Sequence, residues 1–429
     1  MSSIDRSVAP PILPYRELQI PFPKVLSGDS LLPIYDLNHG DQPINRITVQ
    51  WKYGSAMCSN PEAYTVMSQL LREGAGTHSA QNISETLDYN GAWLKITPSE
   101  HLLSVSLFSI NKTLGNLIPI LSDIIQNPMF PENEMHAISE RFASQTEVNM
   151  QRVGFKAAML SRDLTFGKNH PLAKTPSPEA YRGLTKGDII DAYREVVSNS
   201  MPIISVAGQT SDILPLVKDF AKMLERNHPK AVNPFTPIPF TPSAGRYETT
   251  VDGALQSAIR LTIPTINRSH IDYIDLRLAV MALGGYFGSR LNKNIREDKG
   301  YTYGITASLL GYEEGAFMEI KSEADPAYVD SVVHEINNEI KRLADEPMSD
   351  EELASVKSFA TTTLAAMLDS PFTIMDHHLT NIHNNIASDY FARQLSAINN
   401  LTPGRISEVI RRHIDPAKSA MAIAGPKKL

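Results

Sequence analysis

Hydrophobic and polar residues alternate in two parts of the chain with the period of a half-buried β-strand. Leu103, Val105 and Leu107 alternate with two serines, and residues 317–323 alternate in a similar way. Because successive side chains of a strand point to opposite faces of a sheet, each segment predicts a strand with one buried face. The two segments lie in different halves of the chain, so a sheet is expected in each half.

Other apolar residues recur at the spacing of a helix. Residues 61–73 carry one apolar stripe at positions i, i+3, i+4, i+7 and i+8, formed by Ala63, Val66, Met67, Leu70 and Leu71. Pro61 suits the start of this helix and Gly74 its end. A second helix is predicted after Ser79, which serves as its N-cap. Strands and helices together predict an α+β fold, with a mainly antiparallel sheet and packed helices in each half.

The end of each half repeats one sequence pattern. Residues 184–208 align without a gap with residues 401–425, at a constant offset of 217 (401 − 184 = 217). Each copy predicts a helix that begins after a threonine N-cap, Thr185 or Thr402, followed by a short strand that ends in glycine. The period is far too long for a solenoid, so the repeat predicts two homologous domains.

A proline-rich stretch separates the two copies. Its five prolines exclude a helix and favour a linker; they are Pro229, Pro234, Pro237, Pro239 and Pro242. We therefore predict an N-terminal domain over residues 15–227, a linker over 228–245 and a C-terminal domain over 246–429.

Composition excludes several classes of function. The 429 residues carry a formal net charge of -7 and no basic patch, which argues against nucleic acid as a partner. The single cysteine, Cys58, rules out a disulfide within the chain and is compatible with a reducing compartment. No apolar run reaches the length that spans a bilayer. A cytoplasmic protein is the resulting prediction.

Residues 376–383 contain the one histidine cluster in the sequence. His378 and His383 are five positions apart and do not share a helix face well. We therefore interpret this segment as a polar helix surface rather than a metal site.

A series of short motifs follows the helix predicted over residues 61–73. Gly-Ala-Gly-Thr stands at 74–77, Ser-Ala-Gln at 79–81 and Asn-Pro-Met-Phe at 127–130, before a long acidic helix. This order resembles the first domain of the pitrilysin and mitochondrial-processing-peptidase family of metallopeptidases. The resemblance covers nearly the whole chain, including the duplication, and implies the two-domain α+β fold of that family.

The resemblance also locates the helix where a metal site is expected. Catalytic members carry His-x-x-Glu-His on the first helix, which supplies two zinc ligands and the general base. Aligned through Gly-Ala-Gly-Thr, these positions are Thr65, Ser68 and Gln69, and the third ligand would be Thr146 or Glu147. Three neutral side chains cannot replace imidazole and carboxylate. We therefore predict no metal in this chain and a solvated helix face at the degenerate positions.

A motif in the second half resembles the other functional segment of the family. It comprises residues 284–291 and 295–304, and catalytic members place there an Arg and a Tyr seven positions apart. Arg296 and Tyr303 have this spacing (303 − 296 = 7). The resemblance implies that Tyr303 donates to the oxyanion of the transition state and that Arg296 holds the substrate backbone. The alternative is a solvated helix end followed by ordinary strand residues.

These expectations define a functional hypothesis. The chain is predicted to be the non-zinc-binding subunit of a heterodimeric zinc peptidase, inactive alone, which acts on peptides. Zinc is expected in the partner, a homologous subunit with an intact His-x-x-Glu-His motif. The alternative hypothesis is a non-catalytic scaffold or a peptide-binding homologue.

Overall fold

The computed structural model describes Ser7 and residues 20–26, 32–226 and 236–427. Its strands are β1 (Lys24–Leu26), β2 (Ile34–Asn38), β3 (Ile44–Trp51), β4 (Gly74–Ala75), β5 (His78–Ser79), β6 (Trp93–Pro98), β7 (Leu103–Ile110), β8 (Ile203–Gly208), β9 (Gly245–Thr250), β10 (Ser257–Thr265), β11 (Thr302–Gly311), β12 (Ala316–Ala324) and β13 (Ala420–Gly425). Its α-helices are α1 (Pro61–Leu70), α2 (Ala80–Tyr89), α3 (Leu114–Gln126), α4 (Glu132–Met150), α5 (Val153–Phe166), α6 (Pro178–Arg182), α7 (Lys186–Asn199), α8 (Leu214–Arg226), α9 (Tyr273–Val280), α10 (Val329–Asp345), α11 (Asp350–Ala366), α12 (Pro371–His383), α13 (Tyr390–Asn400) and α14 (Pro403–His413). Two π-helical segments, Met281–Gly285 and Asn292–Asp298, lie between α9 and β11.

Two large sheets share one topology. The first sheet has the strand order β1-β2-β8-β3-β7-β6 and the second has the order β11-β12-β10-β13-β9. The pairs β2–β8 and β9–β13 are parallel, and the other neighbours are antiparallel. Starting from β6 and from β11, both sheets run through equivalent strands, with β1 as an addition to the first. The α+β fold with two homologous, mainly antiparallel sheets is therefore confirmed.

The offset of the sequence repeat recurs in the elements. Strand β13 begins 217 residues after β8 (420 − 203 = 217), and α14 begins 217 residues after α7 (403 − 186 = 217). Thr185 and Thr402 cap α7 and α14 through their hydroxyl groups, as predicted. The predicted linker, 228–245, lies partly outside the described residues. Of its described residues, 236–244 contain no helix or strand and Gly245 begins β9, and the domain limits stay predictions.

Each sheet has one face that packs on helices of its own half. In β7, the alternating residues Leu103, Val105 and Leu107 are buried in the first core, as the sequence pattern predicted. Tyr64 and Met67 of α1 belong to the same core. A second core forms around β10 and β12 in the second half.

The opposite face of each sheet is covered in part by a helix from the other half. Helix α5 packs on β10 and β13, and α12 packs on β8 and β2. Thr165 of α5 and Thr262 of β10, both buried, share a hydrogen bond of 2.7 Å. Because α5 and α12 occupy equivalent positions in the repeat, the two halves exchange helices in a reciprocal way.

This exchange overturns the prediction of a polar helix surface at residues 376–383. His378 is fully buried in α12, and its Nε2 lies 2.9 Å from the carbonyl oxygen of Pro21. The ring of His383 is hydrogen-bonded to the side chain of Gln50 on β3. His378 and His383 therefore contact the first half of the chain, whereas the ring of His377 lies near Phe391 of the second half. Among the described helices, none combines the length and the apolar composition needed to cross a membrane.

Candidate functional site

Helix α1 carries the positions that the sequence resemblance aligns with a zinc-binding motif. Asn60 caps it by accepting a hydrogen bond from the backbone N–H of Ala63 at 3.0 Å, and Pro61 occupies the first turn. Thr65, Ser68 and Gln69 all lie on this helix, as predicted. At i, i+3 and i+4 they share one face.

The prediction that this face is solvated is wrong. Ser68 is fully buried, and Thr65 and Gln69 are half-buried. The hydroxyl of Thr65 donates to the carbonyl oxygen of Pro61 at 2.9 Å, and the hydroxyl of Ser68 donates to that of Thr65 at 2.8 Å. The face is covered because α1 packs against α4, α6 and α7.

An aromatic side chain bridges the two helices that would carry the metal ligands. The phenol of Tyr181, on α6, interacts with the hydroxyl of Thr65 on α1. Its ring stacks on Phe142 of α4, with ring centroids 5.4 Å apart. Burial raises the pKa of the Tyr181 phenol, and the Thr65 hydroxyl works against this shift. Tyr181 therefore stays neutral at physiological pH.

The residues of this site do not fit zinc. Zinc takes imidazole, thiolate or carboxylate ligands, whereas both hydroxyls on α1 already donate to backbone carbonyls. At the third-ligand position, the buried hydroxyl of Thr146 donates to the carbonyl oxygen of Phe142 at 2.7 Å. Glu147 is exposed, and its carboxylate binds Nη1 of Arg182 at 2.6 Å. Neither residue supplies the ligands that α1 lacks.

A cavity of about 320 Å³ adjoins the degenerate helix face. Thr65 and Tyr181 line it, together with Glu62, a buried carboxylate in the first turn of α1. The sequence interpretation missed Glu62. The available signal was its position three residues before Thr65, which places both side chains on one helix face.

Arg296 lies in the second π-helical segment. Its guanidinium carbon is 4.5 Å from the centre of the Phe287 ring, and it has no carboxylate partner among the described residues. The side-chain amide of the neighbouring Asn294 donates to Glu335 and Glu339 of α10 at 3.0 and 2.7 Å. These bonds anchor the segment, and π-helical turns occur frequently at functional sites.

Tyr303 is placed by a β-bulge at the start of β11. Thr302 pairs with Ala324 and Ile305 pairs with Ser322, so that Tyr303 and the following glycine together oppose one residue of β12. Such bulges re-aim side chains. The side chain of Tyr303 is 90% exposed, and its hydroxyl makes no hydrogen bond to the described residues.

Buried hydroxyl groups hold this bulge. The hydroxyl of Thr302 donates to the carbonyl oxygen of Glu323 at 2.6 Å and accepts from the backbone N–H of Gly304 at 3.1 Å. The hydroxyl of Ser322 lies 2.9 Å from that of Thr302. The backbone at Tyr303 is thus fixed although its side chain is free.

Tyr303 and the degenerate helix face lie beside the same helix. Tyr303 lines a cavity of about 410 Å³ with Gly154, in the first turn of α5. Phe155 and Met159, also on α5, line the cavity beside Thr65. Arg296 is not part of either cavity wall, so the structure brings Tyr303 and α5 together but leaves Arg296 apart.

Comparison with known proteins identifies relatives with this architecture. Residues 183–359 match the family model described as the peptidase M16 inactive domain. A Bacillus subtilis protein named uncharacterized zinc protease YmxG is 23% identical over 343 residues, which are 78% of this chain and 81% of that protein. The beta subunit of the mitochondrial-processing peptidase of Bos taurus is 22% identical over 379 residues, 84% of this chain and 75% of that subunit.

Two further proteins match over nearly the full length. The non-peptidase homolog YmxG of Helicobacter pylori is 18% identical over 405 residues, which are 92% of both chains. The crystal structure of a peptidase M16 inactive domain from Pseudomonas fluorescens superposes with a TM-score of 0.85 at 17% identity, and covers 95% of this chain and 98% of its own. That likeness concerns the fold.

The chain is a homologue of pitrilysin-family proteins and carries a peptidase M16 inactive domain. It is related to proteins that are named zinc proteases and to one that is named a non-peptidase homolog. The resemblance inferred from its motifs is therefore confirmed.

Proposed function

We propose that this chain is the non-zinc-binding subunit of a heterodimeric zinc peptidase that acts on peptides. The observation that carries the proposal is the presentation of Tyr303. A large aromatic side chain stands in solvent on a bulge whose backbone is held by buried hydroxyl groups. An exposed side chain on a fixed backbone is suited to contact a group on another molecule through its phenol.

The chemistry expected of Tyr303 is stabilisation of an oxyanion. Attack on a peptide carbonyl places negative charge on its oxygen, and a preorganised O–H donor in a water-poor site lowers the barrier by a few kcal/mol. Arg296, which stacks on Phe287 and has no carboxylate partner within the described ranges, is assigned to the substrate backbone. Guanidinium groups suit this role because several N–H donors point in fixed directions.

Zinc and the general base are assigned to a partner chain. Helix α1 offers hydroxyl and amide groups where His-x-x-Glu-His is needed, so the complementing subunit must be a homologue with that motif intact. The similarity to a subunit of the mitochondrial-processing peptidase supports a paired arrangement. A cytoplasmic location is part of the proposal, since the single cysteine suits a reducing compartment.

Reconstitution tests the assignment. The chain is mixed with a homologous subunit that carries His-x-x-Glu-His, and cleavage of a quenched fluorescent peptide is followed. Tyr303→Phe is expected to lower kcat by roughly 10²-fold to 10³-fold with little change in KM, because the lost donor acts in the transition state. Tyr89→Phe is the matched control, since Tyr89 is equally exposed but lies in the first half. Unchanged kcat in Tyr303→Phe would refute a chemical role for the tyrosine.

A second candidate is a peptide-binding homologue that cuts nothing. The Helicobacter pylori relative, a non-peptidase homolog by name, favours it, as does the lack of zinc ligands on α1. Under this hypothesis Arg296 and Tyr303 are vestigial. The same reconstitution separates the two candidates, because a scaffold would assemble with its partner and show no dependence of rate on either residue.

A further inference from the structure

Three side chains with metal-binding groups meet where helix α9 begins and helix α14 ends. His270 lies in the turn before α9, Asp272 directly precedes that helix, and His413 is the last residue of α14. One ring nitrogen of each histidine and one carboxylate oxygen all lie within 4.8 Å of one another. Ligand atoms bound to one ion at about 2.1 Å are roughly 3–4 Å apart, so small side-chain movements close the site.

The backbone and the rings of this cluster are held in place. The carbonyl oxygen of His413 accepts a hydrogen bond from the hydroxyl of Thr265 at 2.9 Å. The backbone N–H of Asp272 donates to Nδ1 of His270 at 3.0 Å, and the two imidazole rings meet edge to face with centroids 5.1 Å apart. Asp272 and His413 are buried, whereas His270 is exposed, so an ion can enter from the side of His270.

One oxygen of the carboxylate has a partner that fixes its orientation. Oδ1 of Asp272 accepts from Nη2 of Arg405 at 2.7 Å. Arg405 also donates to Asp275 at 2.7 Å and to Glu408 at 3.0 Å, so its guanidinium is anchored from three sides. Carboxylates that bind metals are commonly oriented by such hydrogen bonds from outside the ligand set. This arrangement leaves the other oxygen, Oδ2, to serve as the ligand.

The present partners of Oδ2 are replaceable. Nε2 of His413 lies 2.8 Å from Oδ2, and Nη1 of Arg412 lies 3.1 Å from it. A metal ion can take the place of the proton between His413 and the carboxylate, because imidazole binds metals through the lone pair of a ring nitrogen. The side chain of Arg412 is 53% exposed and also pairs with Glu408, so it can leave Oδ2 and remain paired.

The surrounding ion pairs leave the cluster with a negative charge when both histidines are neutral. They join three carboxylates to two guanidinium groups, which gives −3 + 2 = −1; the members are Asp272, Asp275, Glu408, Arg405 and Arg412. A divalent cation is therefore attracted to the cluster despite the two arginines.

We propose that His270, Asp272 and His413 bind one divalent transition-metal ion of the class that prefers imidazole, such as nickel or zinc. Water would complete the coordination shell, and the ion would tie the start of α9 to the end of α14. Two imidazoles and one carboxylate suit these ions better than magnesium, which prefers oxygen ligands. The prediction that this chain binds no metal was drawn from α1, and this site lies in the other half. The inference goes beyond the proposed function, since it requires neither a partner chain nor cleavage.

Metal titration of the isolated chain tests the inference. The protein, without an affinity tag, is treated with a chelator, dialysed and titrated with Ni²⁺ in a calorimeter. We expect one Ni²⁺ per chain and a higher melting temperature in its presence, because the ion binds the folded state. Mg²⁺ is expected to give no saturable binding under the same conditions. Absence of nickel binding, or equally tight binding of magnesium, would overturn the inference without the use of any variant.

His270→Gln is expected to raise the dissociation constant of Ni²⁺ by at least about tenfold. The residue is exposed, and the glutamine oxygen can still accept from the backbone N–H of Asp272, so the fold should be kept. His136→Gln is the matched control, because His136 is an exposed histidine on α4. Unchanged affinity in His270→Gln would show that nickel binds to other histidines, and the assignment would then be wrong. Neither measurement involves cleavage, so failure here leaves the test of Tyr303 intact.

Discussion

Arg46, in the first sheet, binds both carboxylate oxygens of Asp376 on helix α12 of the second half, at 3.0 and 2.5 Å. The same guanidinium donates to the carbonyl oxygen of Phe372 at 3.1 Å and lies over the ring of Phe108. Its side chain is 7% exposed, whereas that of Asp376 is 58% exposed. The Nη1 and Nη2 groups of this buried cation of the first half thus donate to acceptors of the second half.

Asp376→Ala should weaken the contact between the two halves of the chain. The substitution leaves the Arg46 guanidinium short of partners, and we expect the free energy of unfolding to fall by about 1–2 kcal/mol, a loss limited by the exposure of the carboxylate. Asp389→Ala is the control, because its carboxylate pairs with Arg393 on an exposed helix surface. That change should cost less than about 0.5 kcal/mol in urea denaturation. Equal losses of unfolding free energy in the two variants would mean that the Arg46–Asp376 pair contributes no more to stability than an exposed ion pair does.

Thr302→Val should destabilise the bulge that presents Tyr303. Valine keeps the shape of threonine but leaves the N–H of Gly304 and the carbonyl oxygen of Glu323 without the hydroxyl. We expect a loss of about 1–3 kcal/mol in the free energy of unfolding, measured by urea denaturation. Thr306→Val, at an exposed position of the same strand, should stay within about 0.5 kcal/mol of the unaltered protein. A neutral Thr302→Val would contradict the role assigned to the hydroxyl.

Stability should fall as the pH is lowered through the range in which histidine titrates. Burial lowers the pKa of His383 to about 4, with Lys52 adding to the shift and Glu313 opposing it. Because the unfolded chain then binds a proton more readily than the folded chain, the contribution is present above about pH 6.5 and is lost towards pH 4. Its size is on the order of 3 kcal/mol. Burial also lowers the pKa of His377 and His378, which acts in the same direction.

His383→Gln should flatten this pH dependence, because glutamine can bond to Gln50 and does not titrate. Melting temperatures measured from pH 7 to pH 4 would reveal the difference. His136→Gln, in an exposed position on α4, should reproduce the profile of the unaltered protein. A profile that is equally steep in both variants would place the acid sensitivity elsewhere.

Removal of the threonine N-cap of α7 or of α14 should lower the free energy of unfolding by similar but unequal amounts. Thr185→Ala removes a complete capping box with Asp188, and a loss of about 1–2 kcal/mol is expected. Thr402→Ala removes a single hydroxyl bond to the N–H of Arg405, and about 0.5–1 kcal/mol is expected. Thr362→Ala, at an exposed position inside α11, should be neutral or slightly stabilising, because alanine favours the helix. Urea denaturation of the three variants checks the order.

Local rules explain what the sequence predicted correctly. The start of α1 at Pro61, the N-caps Ser79, Thr185 and Thr402, and the alternating strand β7 each depend on neighbours within a few residues. The duplication was visible because both copies kept their caps and their strand endings at one offset. These features carry their physical cause in the chain itself, so they could be found without coordinates.

Contacts between residues that are far apart in the sequence explain what the sequence-based predictions missed. Whether Ser68 meets solvent depends on the packing of α4, α6 and α7 on α1, and whether His378 is polar surface or core depends on a carbonyl more than three hundred residues away. The sequence does not distinguish Glu62 from other glutamates in the first turn of a helix, and only the folded chain shows that it lines a cavity. By itself, the sequence determined the elements, the duplicated fold and the lack of zinc ligands on α1. Only the tertiary structure decided which side chains are buried and which are presented, because burial is set by the neighbours that folding brings together.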